Sequence, residues 1–409
     1  MCDDEQAAAE STRRAGNRPV PAHAQEGVPW GPLVALSTAG FLAIVTETIP
    51  AGLLPELSAG LGVSQSAAGQ LVTAYALGSV VAAIPLVAAT RAWSRKRVLL
   101  LAVGTLAVFN LLTAIAPWYP VILVARLVAG AAAALVWGVL TGYARGLVTP
   151  SLQGRALAVT GIGQPVALAG GVPLGTFAAS VMAWRWVFVA ISAGAVALAV
   201  WIASAVPDVK GTPTRHHTPL TRVVRLRGVA VILGVTAAWI LSHNVLYTYI
   251  APLLDGSALR LDIGLGAFGV ASMAGIALVG TVIDRWLRQT TLLCLTVMLV
   301  ADGVWISGAG GVLLPLAAVL VWGLAFGGAP VLLQTALADR AGEHTDAAQS
   351  MFVTVFNLAV AGGGLLGGVL LAGAGTTGVA LAAGLALVAA LAAVTVCRVA
   401  FPRGPRHEA

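Results

Sequence analysis

Charge is scarce in this sequence. Of its 409 residues only 10% are Asp, Glu, Lys or Arg, where a soluble chain carries about a quarter. That shortage excludes a surface facing mostly water. Cysteine is nearly absent too: Cys2, Cys294 and Cys397 are the only three. With no CxxC and no Cys/His cluster, neither a disulfide framework nor a metal site is implied. Lysine occurs only at Lys96 and Lys210, and the arginine-, alanine- and glycine-rich remainder suggests a bacterial source with a GC-rich genome. A Gly-x-x-x-x-Gly-Lys-Ser/Thr loop is missing, so ATP is not expected to drive this protein directly, and no cofactor is expected. Paired intramembrane aspartates, a His-rich box and a nucleophile–base motif are also missing, which makes an intramembrane enzyme a poor reading. Short alternating segments of the outer-membrane β-barrel kind do not occur.

What is present is hydrophobic, 58% of the chain. Apolar runs fill the sequence from Trp30 to about Val399, each near the ~20 residues a helix needs to cross a bilayer. The pattern predicts an all-α membrane protein of twelve helices, near 32–54, 67–90, 98–117, 119–144, 157–181, 187–206, 228–252, 264–283, 290–311, 313–337, 350–373 and 376–399. Residues 1–28 are polar, with Asp3, Asp4, Glu5, Arg13, Arg14 and Arg18, and read as a disordered cytoplasmic tail, not a signal peptide. Residues 401–409 read as a second cytoplasmic tail.

The formal charge of +7 does not imply a nucleic-acid partner, because its placement follows the membrane. If the N-terminus is cytoplasmic, twenty of the 23 lysines and arginines fall on cytoplasmic segments. Only Arg185 and Arg260 lie outside, and Arg126 lies within a span. So strong a positive-inside bias predicts a multi-pass protein of the bacterial cell membrane with both termini cytoplasmic.

The chain divides in two. Residues 207–227 are polar, contain Pro213 and Pro219, and read as a linker between six-helix halves at 29–206 and 228–400. The halves resemble each other: Ala169-Gly170-Gly171-Val172-Pro173-Leu174-Gly175 aligns with Ala361-Gly362-Gly363-Gly364-Leu365-Leu366-Gly367. Trp137-Gly138 aligns with Trp322-Gly323, and Arg91-Ala92-Trp93 more weakly with Arg285-Trp286. A parallel duplication of this kind implies alternating access around a central site.

Within the spans only two acids occur, Glu47 and Asp302. A charge at bilayer depth costs ~3 kcal/mol or more and is seldom retained without a role. Glu47 therefore reads as a proton carrier, or else as one half of a structural ion pair with Arg126. Desolvation favours the neutral acid and a neighbouring arginine favours the carboxylate, so a change in their balance would move a proton. Pro50 cannot donate to the carbonyl of Thr46, so the helix is expected to bend beside the carboxylate. Asp302 is a weaker candidate. Tyr75, Trp137, His243, Asn244, Tyr247, Trp322, Gln334 and Asn357 are candidate cavity-lining residues, aromatic and amide groups that suit an amphipathic small molecule. Each is equally readable as packing.

Glu47-Thr48-Ile49-Pro50-Ala51-Gly52-Leu53-Leu54-Pro55, Arg126-Leu127-Val128-Ala129-Gly130 and Gly170-Gly171-Val172-Pro173-Leu174-Gly175 together resemble motifs of the major facilitator superfamily. They are most similar to its twelve-span drug:proton antiporter group, and to the branch with sugar-efflux and chloramphenicol-resistance exporters. The resemblance covers essentially residues 30–400. It implies a proton-coupled exporter of a small amphipathic drug or secondary metabolite, with small molecule, protons and lipid bilayer as its partners and the monomer as its unit. A sugar or metabolite transporter on the same fold is the alternative, and a non-transporting receptor is a different class. By resemblance Gly170, Gly171, Pro173 and Gly175 form the export-associated motif. A cytoplasmic charge latch would use Arg95, Arg97, Asp284 and Arg285. The first-half latch departs from the family pattern, since Arg91, Ala92 and Ser94 stand in its Asp, Arg and second Gly places.

Overall fold

The computed structural model describes residues 28–90, 92–210, 220–308 and 310–401. The expectations for the N-terminal tail up to Gly27, for Cys2, for Arg91, for residues 211–219 of the linker and for the tail beyond Phe401 lie outside the described residues.

Ten helical stretches among the described residues are long and apolar enough to cross a bilayer. Two are more than twice the required length: Leu261–Ile306 has 46 residues and Thr345–Val396 has 52, against ~20 per crossing. Each is interrupted once. Trp286 leaves helical geometry at φ −131°, ψ 28°, and Gly375 does so at φ 66°, ψ −164°. The second conformation lies in the left-handed region that only glycine enters freely. Each long helix is thus two crossings joined at a hinge, and the described residues form twelve spans of an all-α protein.

Spans one to seven are Trp30–Gly52, Gln65–Thr90, Arg95–Ile115, Tyr119–Gly146, Gln153–Val181, Trp184–Ala205 and Val229–Thr248. Residues 261–285 and 287–306 form spans eight and nine, Leu313–Ala341 span ten, and 345–374 and 376–396 spans eleven and twelve. Even numbering puts both ends of the described chain on one face, here called the terminal face.

The two halves repeat in register at spans five and eleven. Gly170 and Gly362 each lie 17 residues past the start of their spans, Gln153 and Thr345. The tryptophan pair behaves differently. Trp137 lies 18 residues into span four but Trp322 only nine into span ten, a difference of two to three turns. That match was a coincidence of composition and not part of the repeat.

Glycine sets the close crossings. A Cβ on Gly78 or Gly130 would run into the carbonyl oxygens of Leu127 and Tyr75, so spans two and four cross with their backbones touching. Spans eight and ten repeat the arrangement through Gly275, Gly323 and Gly327. Small residues allow such approach where lipid supplies no hydrophobic drive for association. Gly130→Val is therefore expected to separate spans two and four and cost about 2 kcal/mol or more. The check is thermal unfolding in detergent, and an unshifted midpoint would contradict the close crossing.

Candidate functional site

Span one supplies the site because Pro50 is built into it. Proline has no N–H, so the carbonyl of Thr46, one turn back, loses its helical partner. In a membrane interior an orphan carbonyl must find a donor elsewhere. Arg126 of span four is that donor: its Nη2 donates to the Thr46 carbonyl and, at 3.5 Å, to the carbonyl of Glu47. Nε reaches the carbonyl of Leu71 on span two at 3.5 Å. The guanidinium also lies over the ring of Tyr75, 4.8 Å from its centroid, where the ring face attracts a cation. Tyr75 is fixed in turn, its hydroxyl donating to the Ala43 carbonyl at 2.9 Å. Asn110 of span three donates to the Thr46 hydroxyl at 3.1 Å. Arg126, Thr46 and Asn110 are fully buried.

The expected Glu47–Arg126 ion pair is not made. Among the described residues Arg260–Asp262 alone is recorded as a salt bridge, and Arg126 meets Glu47 through its backbone. Glu47 is half-buried and its carboxylate has no hydrogen bond, while Nη1 of Arg126 is buried without a partner. An arginine anchored by two of its three nitrogens thus keeps one pair of donors free while touching the backbone of Glu47.

The candidate cavity residues fall into separate places. Trp137 and Asn357 line one cavity of about 420 Å³ between spans two, four and eleven. Ser79, Ser350 and Thr354 face it as well, small polar groups that sequence reasoning did not single out. Tyr75 belongs to the arginine site. Gln334 is exposed and its backbone carbonyl accepts from Gln349 at 3.3 Å, so it joins neither group. Asn244 donates to the Ile240 carbonyl of its own helix and packs under Gly363 of span eleven.

His243, Tyr247 and Trp322 meet instead in the interior of the second half, with Phe268 and Phe326. His243 stacks on Phe326 at 3.4 Å between centroids and 6° between planes. Phe268 lies 4.9 Å from Trp322 and 5.5 Å from His243. The two phenylalanines were missed, because an apolar ring inside an apolar span carries no signal of its own.

The export-associated motif is a helix irregularity. Span five passes into a π turn over Ala167–Gly171 immediately before Pro173, with Val172 donating back to Ala167. Gly171 and Gly175 press against Phe41, Val45 and Ile49 of span one, whereas nothing lies within 4 Å of a Cβ on Gly170. The motif packs span five onto the span that carries Glu47. Of the latch candidates, Arg95 binds the start of the linker, its N–H donating to the Val209 carbonyl at 2.8 Å. Arg97 and Arg285 are exposed at the terminal face, and Asp284 precedes Arg285 in sequence. Asp302 stands apart, buried in span nine against Gly384 of span twelve with neither carboxyl oxygen hydrogen-bonded.

The halves meet on the face opposite the termini. The Ser66 hydroxyl donates to the Gly368 carbonyl at 2.6 Å, Gln70 to the Gly364 carbonyl at 3.2 Å, and Tyr249 to the same carbonyl at 2.8 Å. Gly269 of span eight sits against Leu168 and Ala169 of span five. The cavity between spans two, four and eleven lies on the other side of this closure, toward the terminal face.

Residues 36–363 match the sequence profile described as Major Facilitator Superfamily. The chain is 32% identical over 387 residues to a chloramphenicol efflux pump of Mycobacterium tuberculosis, covering 86% of this chain and 92% of that one. It is 26% identical over 358 residues to a purine ribonucleoside efflux pump of Escherichia coli, covering 85% and 89%. Among solved structures it resembles a D-xylose–proton symporter, with a TM-score of 0.72, 15% identity and 91% and 98% coverage. A second is a bacterial homologue of the human lysosomal transporter Spinster in an inward-facing, unoccupied conformation, with a TM-score of 0.65, 16% identity and 92% and 97% coverage.

The arginine site makes a prediction that needs no substrate. Arg126→Leu leaves the Thr46 carbonyl buried and unpartnered, a loss of about 2 kcal/mol. Adding Pro50→Ala returns an N–H to that carbonyl and is expected to recover most of the lost stability in thermal unfolding. A double variant no more stable than the single one would show that the carbonyl was not the anchor.

Proposed function

We propose that this chain, which belongs to the major facilitator superfamily and is a transporter and not an enzyme, exports a small amphipathic molecule in exchange for protons. The observation that carries the coupling is that a buried Arg126 with a free Nη1 touches the backbone of Glu47, whose own carboxyl makes no hydrogen bond or ion pair. Arginine stays protonated at any working pH, so the proton resides on Glu47. With the proton bound, the carboxyl is neutral and needs no partner; once the proton leaves, the carboxylate turns to Nη1. Two arrangements differing by one proton form the two-state element that alternating access requires. The π turn at Ala167–Gly171 in span five and Pro50 in span one place irregular backbone on two helices that pack against each other along the face below Glu47.

The efflux names of both relatives support the outward direction for the cargo. The halves 29–206 and 228–400 move as units about the linker 207–227, with both termini cytoplasmic in a bacterial cell membrane, and the monomer is the working unit. On that orientation the closed face is outer and the Trp137–Asn357 cavity opens toward the cytoplasm, where cargo would load. Each proton driven inward releases about 2.3 kcal/mol per 100 mV, equivalent to a roughly fiftyfold gradient of cargo at one proton per molecule.

Everted vesicles loaded by a pH gradient provide the test, with chloramphenicol as first probe. Glu47→Gln fixes the neutral state and is expected to cut gradient-driven uptake more than tenfold, while probe binding persists. Undiminished uptake at every pH would refute coupling through this residue. The closure is tested separately. An added Cβ on Gly368 comes within 3.2 Å of the Ser66 hydroxyl, close enough for Ser66→Cys and Gly368→Cys to bridge. In a background without the native cysteines, oxidation is expected to arrest transport and reduction to restore it; transport that continues across the bridge would exclude opening at this face.

A further inference from the structure

The aromatic cluster in the second half holds more polarity than a packed core tolerates. Nδ1 of His243, the hydroxyl of Tyr247 and Nε1 of Trp322 are all buried and all lack a hydrogen-bond partner. The three residues are 6%, 3% and 1% exposed. Each unpartnered group costs roughly 1–3 kcal/mol, so three around one spot are not explained by packing. The indole N–H can only donate, and the phenol donates readily.

Phe326 closes one side of this arrangement, face to face with His243 and 6.4 Å from Phe268, and it sits at a break in its helix. Span ten stops at Gly327 and restarts at Ala329, with Pro330 in the first turn of the new segment. Pro330 withholds an N–H from the Phe326 carbonyl, which is taken instead by the N–H of Gly328. A discontinuous helix at membrane depth is tolerated where it serves a site or a movement. Here the break falls directly beside the stacked ring.

Resting on the exporter reading above, we propose that Phe326 is an internal plug: it fills, in the empty transporter, the slot that a flat aromatic or heteroaromatic ring of the cargo occupies. As the Gly327–Gly328 break flexes, Phe326 swings off His243 and the cargo ring stacks in its place. The Tyr247 hydroxyl and the Trp322 N–H, which lie around His243 and Phe268, then donate to acceptors that the cargo carries beyond that ring. His243 supplies the stacking face and, through Nδ1, a third polar contact. The ligand class is a small molecule joining one planar ring to hydrogen-bond acceptors, such as carbonyl, nitro or ring-nitrogen groups. A saturated sugar meets only half of that requirement.

Two probes of this class, chloramphenicol and adenosine, are titrated calorimetrically into the purified full-length protein in nanodiscs. Tyr247→Phe and Trp322→Phe keep a ring and remove one donor each, and each is expected to weaken binding about fivefold. Phe326→Ala removes the plug and is expected to tighten binding by a similar factor. Unchanged affinity in both donor variants overturns the box while leaving the exporter reading intact. Weaker binding by Phe326→Ala overturns the plug, since the ring would then belong to the bound pocket. A wild-type protein that neither binds nor transports either probe overturns this inference and the exporter reading together. Thermal unfolding of each variant alongside the titration separates lost binding from lost folding.

Discussion

A proline in span one removes one hydrogen bond from the Thr46 carbonyl, and an arginine from span four replaces it. That exchange satisfies two groups the membrane interior would otherwise penalise, a bare carbonyl and a buried cation. It also determines the geometry around it. Because Arg126 must reach Thr46, spans one, two and four are drawn together, and the touching backbones at Gly78 and Gly130 make that distance available. Because two of its nitrogens are committed to carbonyls and its face to Tyr75, the third is left without a partner. The arrangement of the site is a consequence of the proline inside this helix.

The second half uses the same fold differently. Its spans eight and ten cross on glycines as spans two and four do, yet the space beside the crossing holds a histidine and four other rings in place of a salt-forming pair. The division is physically sensible. A titrating carboxyl works where its partner is fixed by backbone, and a ring-binding slot works where a helix is discontinuous and a side chain can leave. Between them, span eleven contacts span seven through Gly363 and Gly367 and span two through Gly364 and Gly368. A movement in either half therefore has a direct path to the other.

The fold was legible because the constraint behind it is coarse. Twenty apolar residues per crossing, arginines kept to one face and a glycine motif repeated at equal depth in spans five and eleven all survive in the one-dimensional record. The site was legible only in part. Glu47 and Arg126 stand out because charge in a span is rare, and Pro50 because its missing N–H has one known victim. Phe268 and Phe326 do not stand out, and neither do Ser79 or Thr354, since such residues are ordinary anywhere in a helix. Trp137 and Trp322 misled for the converse reason: two rare residues beside glycine looked like a repeat, and helix depth shows they are not.

The sequence by itself determined twelve crossings, their two halves, the acid three residues before a helical proline and the one arginine within a span. Each follows from rules of solvation and backbone chemistry that act within a few residues. Only the tertiary structure decided that the arginine binds carbonyls and not the carboxylate, that five rings converge in the second half, and which face is closed. Those outcomes depend on which side chain arrives first at a shared space between helices far apart in the chain, and a one-residue change in rotation about any span would alter them.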